Sequence, residues 1–516
     1  MRQSHLIISN AAVMWIMRIL QLLPQVILVP YLISTIGETG YGIYALVWSL
    51  TMSINLLQLS LQSGVVKYSA GYLAQGRIDE VNKVVSSSFV YSLVLAVVAC
   101  VGTLIASIFY KDPSGQMGSA LVVVAFMLLL TVPLTPYVAI IQSRQHYYVG
   151  AVALTASRYL SLGLVIAWFK LIGPGVGPLI VIMAIMQFLS LSFQIPVAHY
   201  LVRGLRNRPR LFDRKIFALI SSFGAATVFI ALSNALNSTG VRWLMGALAS
   251  TAFVAHLAII LMPGILLAQA ISSMTITIMP ATSAYEATGN KKMLQELLIR
   301  GMRYTCILVM VGIIVASLLL RDVLTLWVGR DYVFLSQYTF ILLATQSFML
   351  TASTAHHMLK GLAKIRGLLL TYVFGYVVIP AIVVLAVFRL YENPYVAATA
   401  GLAVGHLICG CAQVALVGKV LGLTMGSMIS RVYIQPIASA MIAVLPAFVL
   451  QWLFAFKSIF SHLALAALVL SAFAYVMYTL FATAEERKDF FSVYRFGLNK
   501  AIVYTRMLRK TISAIV

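Results

Sequence analysis

Apolar runs of twenty or more residues follow one another from near the first residue to about residue 482, and nothing else constrains the fold as strongly. A run of ~20 mostly apolar residues is the length at which a helix crosses the hydrocarbon of a bilayer. In lipid the backbone has no water to bond, so helices satisfy their own N–H and C=O groups. Only 9% of the 516 residues are charged and 61% are hydrophobic, with a mean hydropathy of +0.98. A soluble globule carries about 25% charged residues, so the solvent for this chain is lipid. The fold class expected is an all-α polytopic membrane protein, with roughly fourteen transmembrane helices at one span per ~35 residues.

The spans fall near 9–36, 43–66, 86–109, 118–142, 148–171, 176–202, 216–238, 246–275, 304–320, 336–358, 367–390, 395–418, 432–456 and 459–482. The first is long and lacks a convincing cleavage site, so it reads as a retained helix, not a signal peptide. Asn234, Asn237 and Arg242 interrupt the hydrophobicity of the seventh and eighth. With the N-terminus inside, 27 of the 36 basic residues lie on the inner side, 7 on the outer side, and Arg18 and Arg158 within spans. Short inner loops carry the excess of Lys and Arg, which places both termini in the cytoplasm. The net charge of +23 thus reflects membrane topology and an anionic inner leaflet, not nucleic acid. Cys100, Cys306, Cys409 and Cys411 lie in apolar stretches without zinc-ligand spacing and read as small buried hydrophobes.

A repeat divides the chain. Tyr72-Leu73-Ala74-Gln75-Gly76 opens an amphipathic run with Val81, Val84 and Val85, and Tyr285-Glu286-Ala287-Thr288-Gly289 opens a similar one with Leu294, Leu297 and Leu298. Both fall on the cytoplasmic side, so the repeat spans six helices and keeps its orientation, as parallel-repeat transporters do. The organisation expected is an N-lobe of residues 1–202 (spans 1–6), a basic cytoplasmic linker at 203–215, and a C-lobe at 216–420 (spans 7–12). Spans 13 and 14 follow at 421–483, and a cytoplasmic tail at 484–516. That tail mixes aromatics with seven basic residues and suits a helix on anionic lipids of the inner leaflet.

Enzyme chemistry is missing from the pattern. There is no phosphate-binding loop with its Lys-Ser/Thr, no Asp-x-Asp metal pair and no Ser/His/Asp arrangement of familiar spacing, so no cofactor or metal is expected. The outer loops are short, which disfavours a glycan polymerase or ligase. None of the thirteen acidic residues falls within these spans: Glu38, Asp112, Asp322, Asp331 and Glu392 read as outer-loop residues and the others as cytoplasmic. Cation-coupled transporters usually keep an intramembrane carboxylate for the ion.

What the interior holds instead is basic and amide. Arg18, Gln21 and Gln25 share one face of the first span, and Asn55, Gln58 and Gln62 share one face of the second. Arg18 and Arg158 lie deep, where an arginine costs ~3 kcal/mol or more unless it meets water or an anion. Two polar stripes on neighbouring helices read as the wall of a hydrated cavity, or as interhelical hydrogen bonds with snorkelling arginines. A cavity lined by arginine attracts an anion, and a guanidinium suits phosphate. Lys67 and Arg303, at inner ends of spans, either guide that group or anchor the inner surface. His256 and His406, mid-span, are the candidate proton or ion sites, or packing histidines.

The stretches Asn10…Arg18…Pro30-Tyr31-Leu32…Ile36-Gly37-Glu38-Thr39-Gly40-Tyr41-Gly42-Ile43-Tyr44, Pro280-Ala281-Thr282-Ser283-Ala284-Tyr285…Gly289 and Leu326-Trp327-Val328-Gly329-Arg330-Asp331-Tyr332 resemble polysaccharide exporters of the Wzx type. These O-antigen flippases belong to the multidrug/oligosaccharidyl-lipid/polysaccharide (MOP) exporter superfamily, and the likeness covers roughly residues 10–420. It implies a flippase that moves a polyprenyl-diphosphate-linked oligosaccharide to the outer leaflet of the bacterial cytoplasmic (inner) membrane by alternating access between lobes. Other polysaccharide-assembly proteins would be its partners. Arg18 matches a first-helix arginine that would hold the diphosphate; Arg158, Lys67 and Arg303 align with no motif. The alternative is a cation-coupled drug or small-solute antiporter of the same fold.

Overall fold

The computed structural model describes residues 2–109, 115–144, 146–218, 220, 239–275, 278–362, 364–454 and 458–481. The seventh expected span, apart from its first residues, and the cytoplasmic tail lie outside them. So do the side chains of Arg18, Asn55 and Gln58.

Every described element is helical, and the chain is a multi-pass membrane protein. Eleven helices among the described residues are long and apolar enough to cross a membrane. The sequence expectation of fourteen differs for local reasons. The first two spans form one helical stretch, Arg2–Ala74, whose single non-helical residue is Gly37 at φ 72°. Gln25 and Trp48 line one cavity, as do Leu28 and Tyr44. Residues 25 and 48 of a straight helix would stand ~35 Å apart, so the chain doubles back at Gly37. A left-handed φ is open to glycine without a Cβ penalty, and that permits so tight a reversal. The tenth span is broken at Ala352 into Leu335–Thr351 and Ser353–Gly361.

Two turns carry the internal repeat at backbone level. Gly76 and Gly289 both take positive φ, at 71° and 66°. Arg77 N bonds Tyr72 O at 3.0 Å, and Asn290 N bonds Tyr285 O at 3.0 Å, the same ring 213 positions on. Each turn then launches a long helix, Ile78–Phe109 and Lys291–Trp327. A second pair of turns matches 218 positions apart: His146 N to Ile141 O and Lys364 N to Leu359 O. The expected amphipathic runs are the first turns of those long helices.

Helix ends depart from the expectation where hydrophobicity stops before the helix does. Lys291–Trp327 continues seven residues past residue 320. Asp322, expected on an outer loop, therefore lies within this helix. Arg242, also expected on a loop, lies in the helix Val241–Leu248. Cys411 corrects the reading of four buried thiols: it is exposed, while Cys100, Cys306 and Cys409 are buried.

The basic linker 203–215 is tied to helix Ile78–Phe109. Asn82 bonds Gly204 O and Arg206 N, Ser86 accepts from Arg208 N, and Ser87 accepts from Asp213 N at 3.0 Å. The Asp213 carboxylate accepts from Ile216 N and Lys215 N and so caps the start of the next helix. Those N–H donors hold its pKa below the usual value.

The apolar cores are arranged unequally along the bundle. At the Gly37 end, a core cluster joins Leu28, Leu32 and Tyr41 from the hairpin to Leu257, Leu324, Leu342 and Leu402. Toward the Gly76 and Gly289 turns the described residues form smaller clusters, one of which packs Ile216 and Ile220 against Val65, Val84 and Ala139. A second gathers Val81, Val85, Ile140 and Val202. Another gathers Leu298, Met302, Met358 and Val417.

Candidate functional site

Pro24 and Pro30 lie inside the first arm of the hairpin. A proline has no N–H, so each leaves the carbonyl four residues earlier without its helical donor. Those are Leu20 and Val26. The Tyr159 hydroxyl donates to Leu20 O at 3.0 Å, and the Trp327 indole Nε1 donates to Val26 O at 2.8 Å. In a membrane an unsatisfied carbonyl costs several kcal/mol, so both donors help to fix the neighbouring helices against this arm.

Beside Leu20, Arg158 donates from Nη1 to Gln21 O at 3.0 Å. Gln21 Nε2 donates back to Thr155 Oγ1 at 3.0 Å and Ala151 O at 3.2 Å. Gln25 and Arg158 then line one cavity of about 60 Å³, with Tyr44, Trp48 and Gln187 in its wall. Tyr41, Tyr44 and Trp48 form a ladder of rings 6.1 Å apart. Arg158 stands in electrostatic contact with Tyr44, and Arg242 with Tyr41. The wall is thus cationic and aromatic, and it offers a guanidinium and two amides to an anion or a polyol.

The other expected site residues go to several places. Gln62 faces Ser87, Ser92 and Tyr91 in a separate pocket. Lys67 is exposed, its Nζ 5.4 Å from the Tyr68 ring centre. Arg303 is buried in helix Lys291–Trp327. His406 is buried in Pro394–Leu421, its ring 6.3 Å from that of Tyr376. Arg242 was missed because the interrupted hydrophobicity around it read as a loop.

His256 belongs to a different group. It sits near the start of helix Thr251–Thr275, with Nε2 3.1 Å from Glu38 Oε2 and Nδ1 2.6 Å from the Tyr395 hydroxyl. Tyr332 donates its hydroxyl to Glu38 Oε1 at 2.8 Å. Burial and the Glu38 carboxylate raise the pKa of that phenol, which keeps it a donor. Beside them the hairpin passes so close to the next helix that a Cβ on Gly42 would fall 1.7 Å from Thr251 O. Glu38 lies one residue past the reversal, so these contacts tie the hairpin tip to three elements from the second half. Two stretches that carried the sequence resemblance, residues 30–44 and 326–332, meet here. Their meeting was not visible in either stretch alone.

No family model matches the chain, and no curated protein matches it. Solved structures do. The lipid II flippase MurJ in an inward closed conformation superposes with a TM-score of 0.68 at 13% identity, over 91% of this chain and 99% of that one. An inward-facing multidrug resistance MATE transporter of the MOP superfamily gives a TM-score of 0.67 at 15% identity, over 80% of this chain and 98% of that one. An outward-facing MATE transporter gives 0.59 at 15% identity, over 81% and 95%. The chain therefore has the MOP-superfamily fold.

Proposed function

We propose that the chain is an alternating-access transporter and not an enzyme, held with its Gly37 end shut and its Gly76 end parted. The observation that carries this reading is the division of the core. Among the described residues one large apolar cluster joins the two halves at the Gly37 end, whereas at the other end the clusters around Val85 and around Met302 are separate and only the start of the second lobe, Ile216 and Ile220, reaches Val65, Val84 and Ala139. Alternating access requires two rigid lobes that exchange which end they close. Residues 1–202 and 216–420 are the lobes in this reading, with 203–215 as linker and the last helices as an appendage. The higher TM-score with the inward-facing MATE structure than with the outward-facing one agrees with it. With both termini cytoplasmic, as the basic residues favour, the shut end faces outward from the cytoplasmic membrane of a bacterium.

Two cargoes fit. Export of a drug or small solute against a cation stands nearer to the comparisons, since both MATE structures are multidrug transporters. The His256–Glu38 pair then becomes the ion site. Flipping of a polyprenyl-diphosphate oligosaccharide has its own support. The likeness to a lipid II flippase extends over more of this chain, and Arg158 and Gln25 line a cavity with no carboxylate in its wall. There Arg158 would hold the diphosphate, and Arg18, which the sequence spacing puts on one helical face with Gln21 and Gln25, would be its second cation.

Proteoliposomes separate the two. Uptake of a fluorescent cationic drug under an imposed proton or sodium gradient tests the first. Exposure of a fluorescent polyprenyl-diphosphate glycan to an impermeant quencher tests the second, with Arg158→Ala expected to stop it. Drug uptake without glycan exposure would discard the flippase reading, and neither activity would discard both.

A further inference from the structure

The last two long helices, Gln435–Phe454 and Ile459–Val476, rest on helix Lys291–Trp327 through Ile314, Leu318, Ala443, Ala447, Leu465 and Phe473. Toward the Gly37 end this seam widens into a cavity of about 660 Å³. Polar and charged side chains interrupt its otherwise apolar wall. It carries Arg321, Asp322, Gln337, Gln451 and His462, with Trp452 at the rim. Asp322 Oδ2 lies 2.5 Å from His462 Nδ1, and Gln451 Nε2 lies 3.4 Å from His462 Nε2. Arg321 is exposed and forms no ion pair among the described residues.

Leu445, Val449 and Leu453, on the same helix as the lining residue Gln451, are more than half exposed, as residues that face lipid are. What enters from the bilayer brings a chain with its head. Room for a chain lies one turn deeper, in an apolar space of about 180 Å³ lined by Ile313 and Ala344. That space shares Phe348, Tyr433 and Ile437 with another of about 390 Å³.

We infer that this cavity is a binding site for a bilayer phospholipid whose headgroup carries both a phosphate and a primary ammonium. Arg321 supplies a fork of donors for the phosphate. Asp322 has one oxygen engaged by His462 and a second left for the ammonium N–H groups. One guanidinium and one carboxylate on neighbouring residues match the two opposite charges of a zwitterion. A quaternary ammonium head lacks the N–H donors, and a glycerol head lacks the positive charge. The amides of Gln337 and Gln451 line the same cavity as further polar partners, and the acyl chains lie along the apolar spaces. The site is independent of the cargo and stands outside the Arg158 cavity.

Native mass spectrometry of the full-length protein, released from detergent, tests this. Phosphatidylethanolamine, phosphatidylcholine and phosphatidylglycerol of identical chains are added in competition. The wild type is expected to retain the ethanolamine lipid about tenfold over the other two, and Arg321→Gln to retain all three alike. Because Arg321 is exposed and makes no ion pair, that variant should fold, which a single symmetric elution peak verifies. Equal retention of the three lipids by the wild type overturns the inference. So does a preference for phosphatidylglycerol, or an ethanolamine preference that survives in Arg321→Gln.

Discussion

The Trp327 indole donates to the carbonyl of Val26 at 2.8 Å, and Val26 is the residue whose helical donor would have been the N–H at position 30, where Pro30 stands. Neither residue explains the other in isolation. Pro30 interrupts one helix of the first half, and Trp327 ends a helix of the second. Their bond turns a local defect into a join between the halves, at the end where the apolar core is continuous.

That join can be measured by a double-mutant cycle. Trp327→Phe keeps most of the apolar area but leaves the carbonyl unsatisfied, and a loss of about 1–3 kcal/mol is expected. Pro30→Ala restores a helical donor to Val26. In that background Trp327→Phe should cost distinctly less, by at least about 1 kcal/mol, in thermal unfolding of the detergent-solubilised protein. Additive losses would mean that the indole N–H does not serve this carbonyl.

The Glu38–His256 contact should hold the Gly37 end shut. Glu38→Gln removes the charge from a carboxylate that meets both His256 and Tyr332. A loss of about 1–2 kcal/mol would raise the opened population by about 5–30-fold. In a background without native cysteines, Thr251→Cys should then react correspondingly faster with an impermeant maleimide added on that side. Unchanged labelling would remove Glu38 from the closure.

Gly42 sets the distance of closest approach. Gly42→Ala places a methyl against the Thr251 carbonyl, where the neighbour is backbone and cannot swing aside. The substitution is expected to destabilise by about 1–3 kcal/mol or to part the two segments. Gly71→Ala is the control, because nothing lies within 4 Å of its added Cβ. It should be neutral or stabilising by up to about 1 kcal/mol.

The linker offers a pH dependence of known sign. Asp213 has a lowered pKa in the folded chain because it accepts from Ile216 N and Lys215 N. A depressed carboxylate contributes its capping above the unfolded value and loses it as pH falls through the folded one. The protection of the Lys215 and Ile216 amides, after correction for the intrinsic pH dependence of exchange, should therefore fall only below about pH 4 and stay constant between pH 6 and 8. Asp213→Asn, which retains an acceptor, should abolish that acid dependence.

Much of the fold was legible because hydropathy is a local property. A twenty-residue apolar run meets lipid wherever it sits, and ten of the expected spans each coincide with a helix long enough to cross, while an eleventh such helix covers parts of the first two. The paired turns were legible for a similar local reason: the Tyr-x-Ala-x-Gly signature at residues 72–76 and 285–289 encodes a turn by its glycine, and the two backbone rings match. Helix ends were less legible. Hydropathy ends with the hydrocarbon, while a helix ends where its hydrogen bonds do, which is why Asp322 and Arg242 lie on helices.

The candidate site was legible only as residue types. An arginine at 158 and amides at 21 and 25 could be named from depth and spacing, because the cost of a buried charge is known without a partner. Which partner each would take could not be named. Arg158 meets a carbonyl 137 positions away, His256 meets Glu38 across 218 positions, and Trp327 meets Val26 across 301. By itself the sequence determined that the chain lives in a membrane, how its basic charge is divided among loops, and that its interior is poor in acid. The tertiary structure decided which polar groups are shared across the halves. A hydrogen bond depends on two atoms within ~3 Å, and only the packing of distant helices sets that separation.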